Sequence, residues 1–201
     1  VMKVVANNGG IVGKNYASEA SLQALRNQYP NWKFYGSETT SAIHSRGIYN
    51  TYGQDSAALQ MSEYDNNQAR VGWGHSASQA WKFAVKNDFN AGIFVWTGFD
   101  YIGEPTPWNG VSTGSVSGKG AAPNSSYFGI VDTAGFPKDT YYLYHSMWND
   151  KESTLHLMST WNDKEIVKNN QGKVQVDVFS DAYKVELYLN DKLIGTRTST
   201  V

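Results

Sequence analysis

The sequence predicts an α/β fold built on parallel strands, followed by a smaller domain of antiparallel strands. Through roughly the first 150 residues, short apolar runs alternate with helix signals. That alternation is typical of parallel strands covered by helices. After about residue 152, apolar and polar residues alternate with a period of two, which is typical of antiparallel strands that have one solvent-facing side.

The first part of the chain contains three strand-like runs and three helix signals. The apolar runs occupy residues 11–12, 32–35 and 93–96. Apolar residues at helical spacing predict helices between Ser18 and Pro30, over residues 76–87 and over residues 140–148. In the first of these helices, Ser18 is a candidate N-cap and Pro30 predicts the end. Gly36 follows the second run and predicts its end. The runs are apolar throughout, as expected for strands buried on both faces.

The second part of the chain has the period-two pattern of hairpins. Alternating apolar residues cover residues 155–157, 174–178 and 185–189. The pair Asn190-Asp191 predicts a turn into a further strand over residues 192–195. Three or four strands are too few to close a β-sandwich. We therefore expect this part to be an incomplete sandwich.

Charge and composition exclude several classes of function. The formal net charge is -1, without the clustered basic residues that bind nucleic acid. No apolar stretch is long enough to span a bilayer, and residues 1–10 lack a signal-peptide pattern. We expect neither nucleic acid nor a membrane as a partner. The chain has no Cys, which excludes disulfides and thiolate chemistry, while cytosol and an oxidising exterior both stay open.

Histidine spacing and aromatic content bear on ligands. The four histidines are His44, His75, His145 and His156. They show no metal-ligand spacing, so we expect no metal and no cofactor. The chain has 7 Trp, 13 Tyr and 8 Phe. These aromatic residues fit either a large apolar core or a carbohydrate-binding surface.

Glu38 is the candidate for chemistry, because it closely follows a predicted buried strand. In a (β/α) barrel, side chains at the carboxyl ends of strands line the active site. Retaining glycosidases need one carboxylate there as nucleophile and a second as acid/base. The alternative is that residues 37–39 cap a following helix.

Several segments resemble glycoside hydrolase family 2 β-galactosidases, in the order in which that family carries them. The family's nucleophile segment is similar to residues 35–42 (YGSETTSA) and 45–47 (SRG) of this sequence. The last barrel strand and its loop resemble residues 94–108 (FVWTGFDYIGEPTPW). The family's segment leading into the final barrel helix is similar to residues 126–132 (SYFGIVD), 137–139 (PKD) and Tyr142. The family's next domain, a β-sandwich, is similar to residues 156–157 (HL), 161–162 (WN) and 185–190 (VELYLN).

The resemblance implies a fold and an activity. Residues 1–152 would be the C-terminal half of a (β/α)8 TIM barrel. Residues 153–201 would be the start of an immunoglobulin-like β-sandwich. The enzyme would be a retaining exo-glycosidase that hydrolyses terminal β-D-galactosyl residues of a β-galactoside, with Glu38 as the nucleophile.

The resemblance also assigns roles around Glu38. Tyr16, in residues 13–16 (GKNY), takes the place of a tyrosine that hydrogen-bonds the nucleophile, and Trp96 that of a wall of the galactose pocket. Either could instead be a core residue. Asp100 could bind sugar hydroxyls or order its loop. Three further residues could lie at the rim of the pocket or have a purely structural role: Trp73, His44 and Glu104.

One part of the catalytic apparatus is missing from the chain. The family's acid/base glutamate follows an asparagine at the end of the fourth barrel strand, and this sequence has no Asn-Glu dipeptide. We therefore expect the remainder of the enzyme as a partner, and no useful activity from the isolated chain. Two alternatives stay open: a β-glucuronidase or β-mannosidase of the same fold, or a non-catalytic carbohydrate-binding module. Against a glucuronidase, the loops contain no convincing Asn-Lys pair to bind the sugar carboxylate.

Overall fold

A three-stranded parallel sheet forms the first part of the molecule. The computed structural model describes residues 1–49, 62–65, 71–103, 125–158 and 160–199. The strands are β1 (Val12–Asn15), β2 (Phe34–Thr40) and β3 (Asn90–Trp96), in the order β1-β2-β3. Both neighbouring pairs are parallel, which confirms the arrangement predicted from the alternation of strands and helices.

The central strand β2 is longer than its sequence predicts. The prediction that Gly36 ends this strand is wrong, because backbone pairing with β1 and β3 carries it through Thr40. Gly36 pairs with Ile93 but Thr39 pairs with Val95, so β2 has one extra residue between them. The register with β1 shifts at the same place. Such a bulge changes the direction in which the side chains after it point.

Four helices accompany the sheets: α1 (Met2–Asn7), α2 (Glu19–Gln28), α3 (Ala77–Val85) and α4 (Asp139–Trp148). The last three confirm the predicted helices, whereas α1 had no helix prediction. Serine caps begin two of them, since Ser18 Oγ accepts from the Ser21 N–H at 3.2 Å and Ser76 Oγ from the Gln79 N–H at 3.3 Å. None of the described helices has the length and apolar character needed to cross a bilayer.

The main core lies at the amino-terminal ends of the parallel strands. Its buried members come from the starts of β1 and β2 and from the segments beside them: Val12, Leu22, Trp32, Phe34 and Phe89. Trp32 also stacks on Tyr29 with ring centroids 4.0 Å apart. Burial of these rings stabilises the sheet from this end. The carboxyl ends of the strands are left for polar residues.

Two antiparallel strand pairs form the second part. Strand β4 (Leu155–Leu157) pairs with β5 (Val178–Ser180), and β6 (Lys184–Leu189) pairs with β7 (Lys192–Thr198). The predicted turn is confirmed: Asn190 and Asp191 have φ of 49° and 62°, the left-handed pair that tight hairpins need. The predicted strand over residues 174–178 is largely wrong, because regular pairing begins only at Val178 and Val174 makes an isolated bridge to Lys168.

Candidate active site

Tyr16, Glu38 and Trp96 lie together at the carboxyl ends of the three parallel strands. Tyr16 directly follows β1, Glu38 is near the end of β2, and Trp96 ends β3. The Tyr16 N–H donates to the Glu38 carbonyl at 2.8 Å. The Ser41 N–H donates to the Trp96 carbonyl at 3.2 Å. The strand-end site is defined here as these residues together with Trp73: Tyr16, Glu38, Ser41, Trp73 and Trp96.

The phenol of Tyr16 is the most connected group of the strand-end site. Its oxygen lies 2.6 Å from Ser41 Oγ. Burial raises the pKa of Tyr16, and hydrogen bonding and charge interaction with the Glu38 carboxylate raise it further. Hydrogen bonding with Ser41 and with the indole of Trp73 acts in the opposite direction on this pKa. A neutral phenol beside Glu38 can donate a hydrogen bond to the carboxylate.

Two partly exposed tryptophans belong to the strand-end site. Trp96 is 36% exposed and Trp73 is 54% exposed. Trp96 also contacts Tyr101 edge-on, with ring centroids 6.1 Å apart, and the peptide bond between Trp96 and Thr97 is cis. Partly open aromatic faces next to a carboxylate are the lining expected of a pocket for a small polar ligand with apolar faces.

The backbone of the strand-end site adopts unusual conformations. Tyr16, Thr40 and Ser41 have φ of 49°, 73° and 52°. Residues other than glycine rarely occupy this left-handed region. Such positions cluster where the surrounding structure holds a site in a required geometry. Here they occur on two neighbouring strand ends.

The three residues after Glu38 are each bonded to a different element. Thr39 Oγ1 donates to the Phe94 carbonyl on β3 at 3.0 Å. Thr40 Oγ1 lies 3.0 Å from the Tyr144 hydroxyl on α4. Ser41 bonds Tyr16 beyond β1. The segment that carries Glu38 is therefore held to β1, β3 and α4 at once.

Asp100 belongs to the interior of the molecule. Its carboxylate pairs with Lys138 Nζ, with oxygens at 2.8 and 2.9 Å, and accepts from the Gly129 N–H at 2.7 Å. A Cβ on Gly129 would lie 2.0 Å from the Asp100 nitrogen, so only glycine permits this approach. Of its two possible roles, the loop-ordering one fits these contacts.

Lys138 joins Asp100 to two backbone segments. Its ammonium also donates to the His44 carbonyl at 2.7 Å and to the Tyr127 carbonyl at 3.3 Å. The side chains of Lys138 and Asp100 are only 1% and 4% exposed. Burial lowers the pKa of Lys138 and raises that of Asp100, while their mutual attraction opposes both shifts. Each charge is stabilised in the interior by its partner.

His44 does not lie at the rim of a pocket, where the sequence analysis expected it. It is 2% exposed, and its Nδ1 is 2.7 Å from the Ser62 carbonyl. Burial lowers the pKa of this imidazole. Glu104, the other predicted rim residue, lies outside the described residues. Among the described residues, no group of three or more His, Asp or Glu side chains is arranged to hold a metal ion.

Two carboxylates, Glu63 and Asp139, lie beside Lys138, and no sequence pattern pointed to Glu63. Glu63 is 2% exposed; it accepts from the Asp139 N–H at 2.8 Å and from the Gly47 N–H at 2.6 Å. Burial, and then the charge of Asp139, raise the pKa of Glu63 to about 7. The Asp139 carboxylate contacts His156 Nε2 at 2.7 Å. The buried charge cluster is defined as Glu63, Asp100, Lys138 and Asp139.

Comparison with known proteins identifies relatives of this chain. No family model matches the chain. A β-galactosidase of Bacteroides ovatus is 36% identical over 203 residues, which cover 93% of this chain and 21% of that protein. A protein of Formosa agariphila, provisionally named a β-glucuronidase, is 37% identical over 134 residues, or 67% of this chain and 11% of that protein. The chain thus spans about a fifth or less of these curated relatives.

A solved structure shares the fold. A β-glycosidase from Bacteroides vulgatus superposes with a TM-score of 0.68 and 24% identity, over 94% of this chain and 26% of that one. The likeness to the Bacteroides ovatus protein extends over nearly the whole chain and includes the segments that surround Glu38. The chain therefore belongs to glycoside hydrolase family 2.

Proposed function

We propose that the protein is a retaining β-glycosidase that hydrolyses terminal β-D-galactosyl residues, with Glu38 as its nucleophile. One observation carries this proposal: Tyr16, Glu38 and Trp96 converge at the carboxyl ends of three adjacent parallel strands. Barrel enzymes place their catalytic groups at this end of the strands. The similarity to a β-galactosidase of Bacteroides ovatus supports galactose as the sugar.

The proposed reaction proceeds in two steps. The Glu38 carboxylate attacks the anomeric carbon, and the bond to the leaving oxygen breaks as a second carboxyl group protonates that oxygen. Water, deprotonated by the same second group, then hydrolyses the glycosyl ester, releases the sugar and regenerates Glu38. Retaining enzymes hold the two carboxyl groups about 5–5.5 Å apart. By the family resemblance the second group follows an asparagine, and no such dipeptide occurs in this chain.

Tyr16 and the indoles have supporting roles in this proposal. The Tyr16 phenol donates to Glu38, which holds the carboxylate in the orientation needed for attack. Trp96, partly exposed at the end of β3, forms one wall of the sugar pocket. The Trp73 indole hydrogen-bonds the Tyr16 phenol, and its exposed face forms part of the rim of the sugar pocket.

We further propose that the chain functions as part of a larger assembly, called the complete enzyme below. Residues 1–152 would supply one half of a (β/α)8 barrel, and residues 153–201 the start of an immunoglobulin-like β-sandwich. A closed barrel of this type has eight strands. The remainder of the barrel would bring the acid/base carboxyl group. Residues 1–201 expressed alone should hydrolyse a chromogenic β-galactoside no faster than a Glu38→Gln control, and robust turnover that the control lacks would refute this assembly.

Covalent trapping tests the nucleophile. The complete enzyme is treated with a 2-fluoro-β-galactoside, which forms the glycosyl ester but hydrolyses it slowly, and the labelled peptide is mapped by mass spectrometry. We expect one label, on Glu38, and none in a Glu38→Gln control, because the amide cannot attack. A label on another carboxylate would refute the assignment of Glu38. Binding without any label would favour a non-catalytic carbohydrate-binding module.

A β-glucuronide is the second candidate substrate, because the Formosa agariphila relative is provisionally named for that activity. A glucuronide carries a carboxylate that needs a cationic partner in the pocket. Lys138 cannot serve, since it is buried and bonded to Asp100. The values of kcat/KM for an aryl β-galactoside and the matching β-glucuronide decide between the two sugars. We expect the galactoside to be preferred, and the reverse preference would replace galactose in the proposal.

A further inference from the structure

Ser41 is fixed from several sides at the strand-end site. It is 1% exposed. Its N–H donates to the Trp96 carbonyl, and its carbonyl accepts from the Val71 N–H at 3.3 Å. A Cβ on Gly74 would lie 3.0 Å from the Ser41 carbonyl oxygen, so the loop that carries Trp73 packs directly on this residue. The side chain is then held with its hydroxyl 2.6 Å from the Tyr16 phenol.

The direction of this hydrogen bond follows from the groups around Tyr16. The phenol has one proton and interacts with Glu38, Ser41 and Trp73. A carboxylate can only accept and an indole can only donate. If the phenol gives its proton to Glu38, its oxygen can only accept from Ser41. The Ser41 hydroxyl would then be the donor across the 2.6 Å that separates the two oxygens.

The backbone at position 41 does not explain the choice of serine. Ser41 has φ of 52° and its partner Tyr16 has φ of 49°. Glycine adopts this region without the steric penalty that a Cβ brings. A glycine at position 41 would relieve strain, yet the position carries a hydroxyl that points at the phenol. That hydroxyl makes a hydrogen bond to the phenol that glycine cannot make.

We infer that Ser41 is a positioning residue, whose hydroxyl directs the Tyr16 phenol so that its proton faces Glu38. The inference rests on the proposed role of Glu38 as nucleophile. Ser41 touches neither the sugar nor the reacting atoms in this scheme. It acts through Tyr16, and so its effect should disappear when the phenol is absent.

The test is a double-mutant cycle in the complete enzyme, with Ser41→Ala, Tyr16→Phe and the double variant. Ser41→Ala should lower kcat/KM about 10-fold, the size expected for one lost hydrogen bond. In the Tyr16→Phe background the same substitution should change kcat/KM less than about twofold.

Two further variants separate the hydroxyl from the backbone. Ser41→Gly should lose activity like Ser41→Ala while its melting temperature is higher than that of the alanine variant, because glycine fits the left-handed φ. Thr40→Val removes the neighbouring hydroxyl, which bonds Tyr144 instead. It should lower the melting temperature, and its effect on kcat/KM should be the same with and without the Tyr16 phenol.

Some results would overturn the inference. They are a Ser41→Ala enzyme within about twofold of the wild-type kcat/KM, an equal loss in the Tyr16→Phe background, or a coupling to Tyr16→Phe that is as strong for Thr40→Val as for Ser41→Ala. A crystal structure of the Ser41→Ala enzyme gives a readout that needs no activity. We expect the phenol oxygen to leave its place beside Glu38, and an unmoved phenol would also overturn the inference. If the wild-type enzyme cleaved no β-glycoside, the proposed function would fail and the crystal structure would still decide the role of Ser41.

Discussion

The strand-end site and the buried charge cluster both concentrate polar groups, yet they are built in opposite ways. In the cluster, Asp100 and Lys138 are almost fully buried, and each is bonded to the other and to backbone groups. In the strand-end site, Tyr16 and Glu38 are half-buried and two indole faces are partly open. Buried, mutually satisfied charges hold a fold together. Groups that retain access to solvent are available to a substrate.

The comparison predicts that the site and the cluster respond differently to mutation. In the strand-end site, loss of a functional group should reduce activity and leave the fold intact. In the buried charge cluster, it should reduce stability first. Four experiments separate these outcomes.

The largest effect is expected for Glu38→Gln in the complete enzyme. The amide has nearly the same shape but cannot supply an attacking oxygen anion, so kcat should fall by about 10⁴-fold or more. The free energy of unfolding should change by less than about 0.5 kcal/mol. Steady-state kinetics on a chromogenic β-galactoside and a denaturation curve measure the two quantities. Turnover above about a tenth of wild type would contradict the nucleophile assignment.

Asp100→Ala should have the largest effect on stability. It leaves the Lys138 ammonium buried without its carboxylate partner, and breaking a buried pair in this way costs about 3–5 kcal/mol. Denaturant unfolding of the complete enzyme measures the loss. The matched control, Asp100→Leu combined with Lys138→Met, removes both charges and should destabilise less than Asp100→Ala alone. Equal stability of Asp100→Ala and wild type would show that the pair does not hold the fold.

Glu63 should make stability depend on pH. Its pKa in the folded protein is about 7, against an ordinary value of 4.5. Between these values the folded protein keeps a proton that the unfolded chain has released. The contribution of Glu63 to the free energy of unfolding should therefore be greatest below about pH 4.5. This contribution should fall by about 3 kcal/mol as the pH rises through about 7.

The matched variant for this pH dependence is Glu63→Gln, which cannot titrate. Denaturation curves across pH 4–8 should show a shallower decline than wild type, whatever the absolute stability of the variant. Asp139 and Lys138 lie nearby, and the charge of each acts on the pKa of Glu63. An identical slope in both proteins would assign the pH dependence to groups other than Glu63.

The smallest of the four effects is expected for Tyr16→Phe. The ring is retained, and the hydroxyl that interacts with Glu38 and Ser41 is lost. A hydrogen bond to a charged group contributes about 1.5–3 kcal/mol. We expect kcat/KM to fall about 10- to 100-fold. The melting temperature should change little. A loss of folding in this variant would instead place Tyr16 among the core residues, the alternative that the sequence left open.

Much of the fold could be predicted from local patterns, because they report burial directly. Helices α2 and α3 begin at serine caps that the sequence displays. The extension of β2 could not be predicted, because Gly36 and the polar residues after it favour a strand end. Pairing on both sides overrides that preference. Val174 and Val176 show the converse, since an alternating pattern does not provide a partner strand.

The candidate site was predictable in part, and its contacts were not. The position of Glu38 after an apolar run, with the family resemblance, indicated its place at a strand end. Ser41 lies 25 residues from Tyr16 in the sequence, and no local pattern joins them. The sequence left two roles open for Asp100, and its contact with Lys138, 38 residues away, exists only in the folded chain. Lys138 was visible in the quoted run 137–139, whereas Glu63 carried no signal.

The bulge in β2 bears on how this stretch of chain can change in length. It places one extra residue between Gly36 and Thr39. Deletion of one residue there would remove the extra residue of β2 and turn every later side chain of the strand to the opposite face. Thr39, Thr40 and Ser41 would lose their separate partners together, and Glu38 its neighbour Tyr16. The stretch should therefore accept several single substitutions but no insertion or deletion, so related sequences that keep the activity should align here without gaps.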